Sequence, residues 1–285
     1  MNKRLWSRLE FLMFGGACCL LRQQTDAQKE SPISPYAAAV LRKRPDAYFR
    51  LGEQDGPTAH DASGHNGTGI YRGHVAYGER GAIGNDSNTA VKLNGRDAYV
   101  EVPDNAHFSQ RSSGKGLTVE VWMRPDSLEF SGETDEHYVH WLGKGDSGRL
   151  EWGFRFYSRH ASRPNRISAY LWNPNGELGS GAYVQEEIQP GQWIHVVACY
   201  DPGDKDDPAA GVSIFKDGVL KGNPRTQIGA LYRTYGIRSL HGSAPLRLGT
   251  RDLRSFFQGE IDEFAIYPRV LSADEIAENY RLGHR

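Results

Sequence analysis

Short runs of alternating polar and apolar residues, separated by clusters of turn-forming residues, fill the chain from Asp46 onward. In the clearest run, residues 117–123 (LTVEVWM), Leu117 and every second residue after it are apolar. A side-chain period of two is that of a β-strand, and several such short strands predict an all-β sandwich or barrel. The run 117–123 itself is predicted to be a half-buried strand.

The composition is that of a folded, turn-rich protein. The 285 residues include 33 Gly and 14 Pro, about one residue in six, which is below the roughly 25–30% typical of Pro/Gly-rich disordered chains. Lys and Arg number 34 against 35 Asp and Glu, so the formal charge is −1. No overall field therefore draws the protein to nucleic acid or to anionic lipid.

Two hairpins and one helix have local sequence signatures. Asn94-Gly95 separates AVKL from AYVEV, and Asp217-Gly218 separates VSIFK from VLK, in the pattern of two-residue hairpin turns. A helix is predicted from Ala273 to Leu282, because Ser272 and Glu275 form a capping box and Gly283 follows.

The first 27 residues have the three-part plan of an export signal. Basic residues precede the apolar run 11–21 (FLMFGGACCLL), and a polar stretch follows it. The run is too short to span a bilayer as a helix. We therefore expect a secreted, periplasmic or cell-surface protein, or alternatively one that is lipid-anchored through Cys18. An ordinary buried helix is the competing interpretation.

Residues 28–45 are predicted to be a linker, although Tyr36 to Arg42 can form a short helix. Of the three cysteines, Cys199 lies outside the predicted signal, within the apolar run WIHVVACY. We expect a packed thiol there and no disulfide framework.

The segments AYFRLGE, DASGHNGTG, NGRDAYVEVPD, LTVEVWMRPD, GQWIHVVACYD, FKDGVLKG, PLRLG and FFQGEIDEFAIYPRVLSADEI occur in this order. Together they resemble the laminin G-like, concanavalin A-like lectin/glucanase domains of bacterial exported proteins. The resemblance implies one domain over residues 46–285, a two-sheet antiparallel jelly-roll sandwich with a short C-terminal helix. It does not fix a function, because this architecture carries lectins, adhesion modules, glycosidases and spacers.

The resemblance also implies a structural calcium ion between the loop 61–69 and the segment 261–263. Calcium prefers oxygen ligands, which Asp61, Asn66 and Asp262 can supply. The alternative is an Asx-turn in which the Asp61 carboxylate accepts backbone amides.

A mixed aromatic and charged strand face is the candidate ligand site. Sugar rings stack on Trp or Tyr while polar groups hold their hydroxyls, so Arg155, Tyr157, Tyr170 and Trp172 are predicted to form a binding platform. Alternatively, these side chains lie beneath a loop or at the edge of the sandwich.

The segment Glu260-Ile261-Asp262-Glu263 invites comparison with the catalytic strand of laminarinase-like glycosidases. On a regular strand Glu260 and Asp262 share a face, whereas Glu263 points away and no further acid follows. We therefore expect a non-catalytic binding module for a carbohydrate or surface polymer. A protein-interaction, adhesion or spacer domain is the second hypothesis, and a glycoside hydrolase is the third.

Overall fold

The structure is a computed structural model. It describes residues 33–65, 67–110, 116–130, 137–146, 149–172, 179–202, 211–224, 228–233 and 241–284. The predicted export signal 1–27 lies outside these residues. No helix within the described ranges is long and apolar enough to cross a membrane.

Two antiparallel sheets contain the described strands, as the resemblance implied. The eight-stranded sheet comprises, in chain order, β1 (Ala47–Phe49), β4 (Ala76–Arg80), β5 (Thr89–Asn94), β7 (Leu117–Pro125), β12 (Ile194–Asp201), β13 (Gly211–Lys216), β14 (Val219–Gly222) and β17 (Gln258–Tyr267). The nine-stranded sheet comprises β2 (Thr58–His60), β3 (Thr68–Arg72), β6 (Tyr99–Val102), β8 (Tyr138–Asp146), β9 (Arg149–Tyr157), β10 (Arg166–Leu171), β11 (Ser180–Gln185), β15 (Ala230–Arg233) and β16 (Leu246–Leu248).

The inner faces of the two sheets form the main core. Leu117, Val119 and Val121 of β7 pack there against apolar side chains of the opposite sheet, such as Phe154 and Ile167. This confirms the predicted alternation. Cys199 lies on the other face of its sheet, and burial raises the pKa of its thiol to about 12, as a packed rather than reactive cysteine requires.

Two helices cover the outer face of the eight-stranded sheet. Helix α2 (Ala273–Gly283) begins with the predicted Ser272 and Glu275 capping box. Helix α1 (Pro35–Arg42) begins at the Ser34 cap. Together they bury Trp122 of β7, so the prediction that 117–123 is only half-buried is wrong.

Helix α1 lies within the segment that was predicted to be a linker. Its Tyr36 and Val40 are fully buried, and the compact unit of the structure runs from 33 to 285. The Lys43 ammonium lies 2.6 Å from a Glu278 carboxylate oxygen and donates to Asn279 at 2.8 Å, both on α2. Residues 33–45 are therefore part of the folded unit.

One of the two predicted hairpins is confirmed. Asp217 and Gly218 have φ angles of 52° and 74° and join the paired strands β13 and β14. Asn94-Gly95 instead connects β5 of one sheet to β6 of the other. The Asn94 side-chain oxygen accepts the backbone N–H groups of residues 96, 97 and 98, which stabilises a crossing between the sheets.

Candidate functional site

The four predicted platform residues lie together on the outer face of the nine-stranded sheet. Strand β9 directs Trp152, Phe154 and Phe156 into the core, so Arg155 and Tyr157 face outward. Strand β10 pairs with β9 antiparallel, and Tyr170 precedes Trp172 on the same side. The outer-face cluster is defined as Tyr138, His140, Arg155, Tyr157, Tyr170, Trp172, Arg251 and Asp252.

Arg155 occupies the centre of the outer-face cluster. Its guanidinium carbon lies 4.6 Å from the ring centroid of Tyr138, 4.7 Å from that of Tyr170 and 6.0 Å from that of Trp172. The Tyr170 and Trp172 rings stack with centroids 5.3 Å apart and planes 16° apart. Cation–π contacts and ring stacking therefore fix these side chains relative to one another.

The cluster is more enclosed than the sequence indicated. Tyr157 is 0% exposed, Tyr170 2% and Trp172 8%. Trp172 is thus the least buried of the three, and no described residue accepts its indole N–H. The structure therefore combines both interpretations: the four side chains meet on one face, but the three aromatic ones are buried there. Their role in ligand binding stays a prediction.

Arg251 is a member that sequence reasoning missed. Its side chain lies across Gly143 and Gly153, which face each other on β8 and β9. A Cβ atom at either glycine would lie 3.0 or 3.1 Å from the Arg251 Cδ, so both positions are best left without a side chain. The Arg251 guanidinium carbon also lies 5.9 Å from the Trp172 ring centroid. Nothing in the local sequence around Arg251 signals this contact.

His140 connects Arg155 to Asp252. Arg155 Nε–H donates to His140 Nε2 at 3.0 Å, so Nδ1 carries the ring proton of the neutral imidazole and donates to Asp252 Oδ2 at 2.7 Å. Burial lowers the pKa of His140 to about 4, with the charges of Arg251 and Arg155 acting in the same direction and Asp252 opposing them. The ring is thus neutral at physiological pH.

We expect His140→Gln to flatten the pH dependence of stability between pH 4.5 and 7. A histidine whose pKa falls from about 6.5 unfolded to about 4 folded stabilises above pH 6.5, and this contribution is lost as pH falls toward 4. The loss is on the order of 3 kcal/mol in full. Urea unfolding across this range measures it. His60→Gln, at an exposed histidine, is the control; parallel profiles for wild type and His140→Gln would contradict the assignment.

A second polar cluster surrounds Lys144 on β8 and Glu151 on β9. Ser109 Oγ donates to Glu151 Oε2 at 2.5 Å and lies 3.0 Å from His241 Nδ1, while His241 Nε2 lies 3.3 Å from Asp104 Oδ2. Lys144 Nζ pairs with Glu151 and Asp104 at 2.5 and 2.9 Å. Ser109, His241 and Asp104 follow each other as in a catalytic triad. Ser109 is only 2% exposed, however, and it donates its hydroxyl proton to Glu151 rather than to His241. The three side chains therefore connect loops and do not form a nucleophilic site.

Two of the predicted calcium ligands, Asp61 and Asp262, accept hydrogen bonds from backbone amides. Asp61 Oδ1 accepts the backbone N–H groups of Tyr48 and Ser63, and its Oδ2 accepts that of Gly67, which is the Asx-turn arrangement. Asp262 Oδ2 accepts the Ala82 amide at 2.7 Å. No group of three or more His, Cys, Asp or Glu in the described ranges is placed to hold a metal. Asn66 lies outside these ranges, so the calcium stays a prediction.

A β-bulge changes the geometry of the Glu260–Glu263 segment. The register of β17 against β7 shifts between Asp262 and Ala265, and Glu263 has a φ angle of 52°. The Asn88 amide consequently lies 3.3 Å from both Asp262 Oδ1 and Glu263 Oε1. The sequence prediction that Glu263 points away from Asp262 is therefore wrong.

The bulge does not assemble a hydrolytic pair. Glu260 Oε2 lies 2.9 Å from Arg124 Nε, and Glu260 Oε1 lies 3.5 Å from Lys92 Nζ. Asp262 and Glu263 are 0% exposed. Burial raises the pKa of both, and the charge of Glu263 raises that of Asp262 further, while Arg50 opposes the rise in both. These carboxyl groups are committed to internal contacts, and a retaining glycosidase needs two that face a substrate.

Comparison with known sequences identifies one family. A sequence profile described as the concanavalin A-like lectin/glucanases superfamily matches residues 94–277. The matched region includes Arg155 on β9, Tyr170 on β10 and Arg251 in the loop between β16 and β17. No curated protein matches the chain.

Several solved structures share the fold. The binding domain of botulinum neurotoxin DC in complex with rat synaptotagmin II is 13% identical, with a TM-score of 0.58, over 85% of this chain and 52% of that one. The same domain in complex with SialylT is 14% identical, with a TM-score of 0.56 and the same coverage. The chain thus spans about half the length of these neurotoxin domains.

A shorter relative aligns over nearly its whole length. Domain 4 of AbnA, a GH43 extracellular arabinanase from Geobacillus stearothermophilus, in complex with arabinotriose, is 19% identical with a TM-score of 0.51. The alignment covers 83% of this chain and 98% of that one. At such identities the similarity concerns the fold alone.

Proposed function

The chain belongs to the concanavalin A-like lectin/glucanase superfamily, and we propose that it is a non-catalytic, exported module that binds a carbohydrate or surface polymer. The observation that supports this most is the stacked Tyr170–Trp172 pair with a guanidinium beside it on an outer sheet face. A sugar ring presents C–H groups to an aromatic face and hydroxyl oxygens to N–H donors, so this combination suits a saccharide.

Trp172 is the contact residue in this proposal. It is 8% exposed, more than Tyr157 and Tyr170, and no described residue accepts its indole N–H. Tyr157 and Tyr170 position Trp172 and do not themselves need to touch the ligand. Preorganised aromatic side chains of this kind reduce the entropy lost on binding.

The fold relatives are consistent with such a role. Two of them are solved as complexes, the arabinanase domain with arabinotriose and the neurotoxin domain with rat synaptotagmin II. The proposed export rests on the sequence pattern of residues 1–27. The non-catalytic assignment rests on the engagement of Glu260, Asp262 and Ser109 in internal contacts.

We expect Trp172→Ala to weaken glycan binding about tenfold or more, because loss of an aromatic contact removes roughly 1–2 kcal/mol. A glycan array identifies a ligand, and titration calorimetry with that ligand gives the affinities. Trp193→Ala is the matched control, since Trp193 is a partly buried tryptophan beside Arg124 on the other sheet. Absence of glycan binding by the wild type, or equal losses in both variants, would reject the proposal.

A protein-interaction module is the second candidate. Val219 and Leu220 on β14 are both exposed, and β14 is an edge strand of the eight-stranded sheet. An apolar sheet edge suits a protein partner that adds a strand. This candidate gains support if the array shows no glycan binding.

A further inference from the structure

We propose that the outer-face cluster binds an oxyanion carried by the ligand, so that the chain recognises an acidic glycan through Arg251 and Arg155 beside Trp172. The anion is the carboxylate of a uronic acid or a sulfate ester. This inference rests on the proposed carbohydrate-binding function and names the ligand class that its site takes.

Arg251 is a buried cation that forms no ion pair with the described residues, although the charges of Asp252 and Asp146 act on it from farther away. It is 6% exposed, and its Nη1 donates to the Gly145 carbonyl oxygen at 3.1 Å. Its Nε has no hydrogen-bond partner. No carboxylate of the described residues lies within ion-pair distance of it. Burial of an unpaired charge is strongly unfavourable, so an unpartnered N–H donor on a buried guanidinium indicates that a ligand supplies the acceptor.

The buried Arg247 and the half-buried Arg50 differ in this respect. Arg247 lies 3.2 Å from carboxylate oxygens of both Glu101 and Asp146. Arg50 lies 2.8 Å from Glu263 and 2.5 Å from Asp86. Both of these guanidinium groups are paired with carboxylates, and that of Arg251 is not.

The outer-face cluster as a whole has an excess of positive charge. Arg155 has ring contacts and a hydrogen bond to the neutral His140, and it too has no ion pair within the described ranges. Asp252 is the carboxylate of the cluster, and its Oδ2 accepts from His140. Two guanidinium groups of the cluster thus face its one carboxylate, while the nearby Asp146 pairs with Arg247 at 3.2 Å. Burial lowers the pKa of Arg251, and the charge of Arg155 acts in the same direction, whereas Asp252 and Asp146 oppose them.

The geometry suits an acidic sugar better than a free ion. The aliphatic part of the Arg251 side chain packs over Gly143 and Gly153, and its guanidinium group lies beside the Trp172 ring. The planar guanidinium group can bind a carboxylate or sulfate through two N–H groups while the neighbouring indole contacts the sugar ring. Since the formal charge of the chain is −1, attraction of a polyanion must come from this local site.

The test compares oligogalacturonate, dextran sulfate and neutral dextran by calorimetry in 0.15 M salt. We expect wild type to bind at least one of the acidic glycans and to prefer it to neutral dextran. Arg251→Gln should weaken that binding about 10- to 100-fold, as loss of hydrogen bonds to a charged group predicts. Arg254→Gln removes the same charge from an exposed position in the same loop and should change binding less than twofold. Preference for uronate or for sulfate then identifies the source of the anion.

Thermal unfolding without ligand separates this role from a structural one. Arg251→Met removes an uncompensated buried charge and keeps the apolar stem, so its midpoint should equal or exceed that of wild type. A large decrease would indicate a structural arginine and overturn the inference. Equal loss in Arg251→Gln and Arg254→Gln, or unchanged binding in Arg251→Gln, would also overturn it. Binding of neutral glycans alone would overturn the inference but leave the proposed function standing, whereas no glycan binding would reject both.

Discussion

Replacement of Glu120 by alanine is expected to lower the free energy of unfolding by about 3–5 kcal/mol, the range for removal of one partner from a buried charged network. Glu120 Oε1 accepts from Tyr36 at 3.0 Å and from His195 at 2.8 Å, and its Oε2 accepts from Tyr267 at 2.7 Å. The Asn279 amide lies within 3.1 Å of both oxygens. The carboxylate is 0% exposed.

Each donor belongs to a different element, which is why the effect should be large. Tyr36 is on α1, His195 on β12, Tyr267 on β17 and Asn279 on α2, so one carboxylate attaches both helices to the sheet. The variant leaves four buried donors unpaired, and each such group is destabilising by about 1–3 kcal/mol before relaxation. The two helices should therefore lose protection from hydrogen exchange before the sandwich does.

Chemical unfolding of Glu120→Ala and Glu120→Gln at pH 7 and pH 4 measures the effect. Burial opposes ionisation of Glu120, but the hydrogen bonds from His195 and its other donors outweigh burial and lower its pKa. A carboxyl group whose pKa is lowered on folding stabilises the protein above its unfolded pKa, and this contribution is lost as pH falls through the folded pKa. The loss of unfolding free energy in Glu120→Gln should therefore be smaller at pH 4 than at pH 7. Glu187→Ala, at an exposed glutamate, is the control. A deficit below about 1 kcal/mol for Glu120→Ala would contradict this assignment.

The sequence predicted well which side chains of a strand face the core, but it did not predict which outer strand faces are covered by helices. The period of two in 117–123 correctly assigns Val119 and Val121 to the core. It does not indicate whether helices lie on the other face, because α1 has only eight residues and resembles a linker when read alone. Burial of Trp122 follows from tertiary packing that no local pattern expresses.

Turn residues and the alternation of side chains along a strand are also insufficient to predict some contacts. Asn94-Gly95 supplies the positive φ of a turn, but the same turn serves a hairpin or a crossing to the other sheet. Parity counting placed Glu263 on the wrong side because a bulge inserts an extra residue into β17. The period of two holds only where the ladder is regular.

Part of the candidate site could be predicted from the alternation of side chains along regular strands, and part could not. Arg155 and Tyr170 share a face by alternation along two neighbouring strands, so their meeting follows from sequence. Arg251 comes from a distant loop and depends on Gly143 and Gly153, which lie on two other strands. Only the register of β8 against β9 brings those glycines together.

Replacement of Arg50 by methionine is expected to destabilise the protein by about 3 kcal/mol or more at pH 7.5, because it leaves buried carboxyl groups without a cation. Arg50 Nη2 lies 2.8 Å from Glu263 Oε1 and 2.5 Å from Asp86 Oδ2. Tyr48 also donates its hydroxyl proton to Glu263. Asp262 accepts from the same Asn88 amide as Glu263, so loss of Arg50 affects both acids.

The pH dependence distinguishes this mechanism from simple loss of packing. Burial already raises the pKa of Asp262 and of Glu263, and Arg50 opposes that rise. An acid with a raised folded pKa stabilises below its unfolded pKa and loses that contribution as pH rises through the folded value. The deficit of Arg50→Met should therefore be smaller at pH 4.5 than at pH 7.5, whereas a pure packing defect would give equal deficits. Arg80→Met, at an exposed arginine, is the control. A fall in the wild-type melting midpoint on addition of EGTA would show that a metal ion, and not Arg50 alone, balances these carboxyl groups.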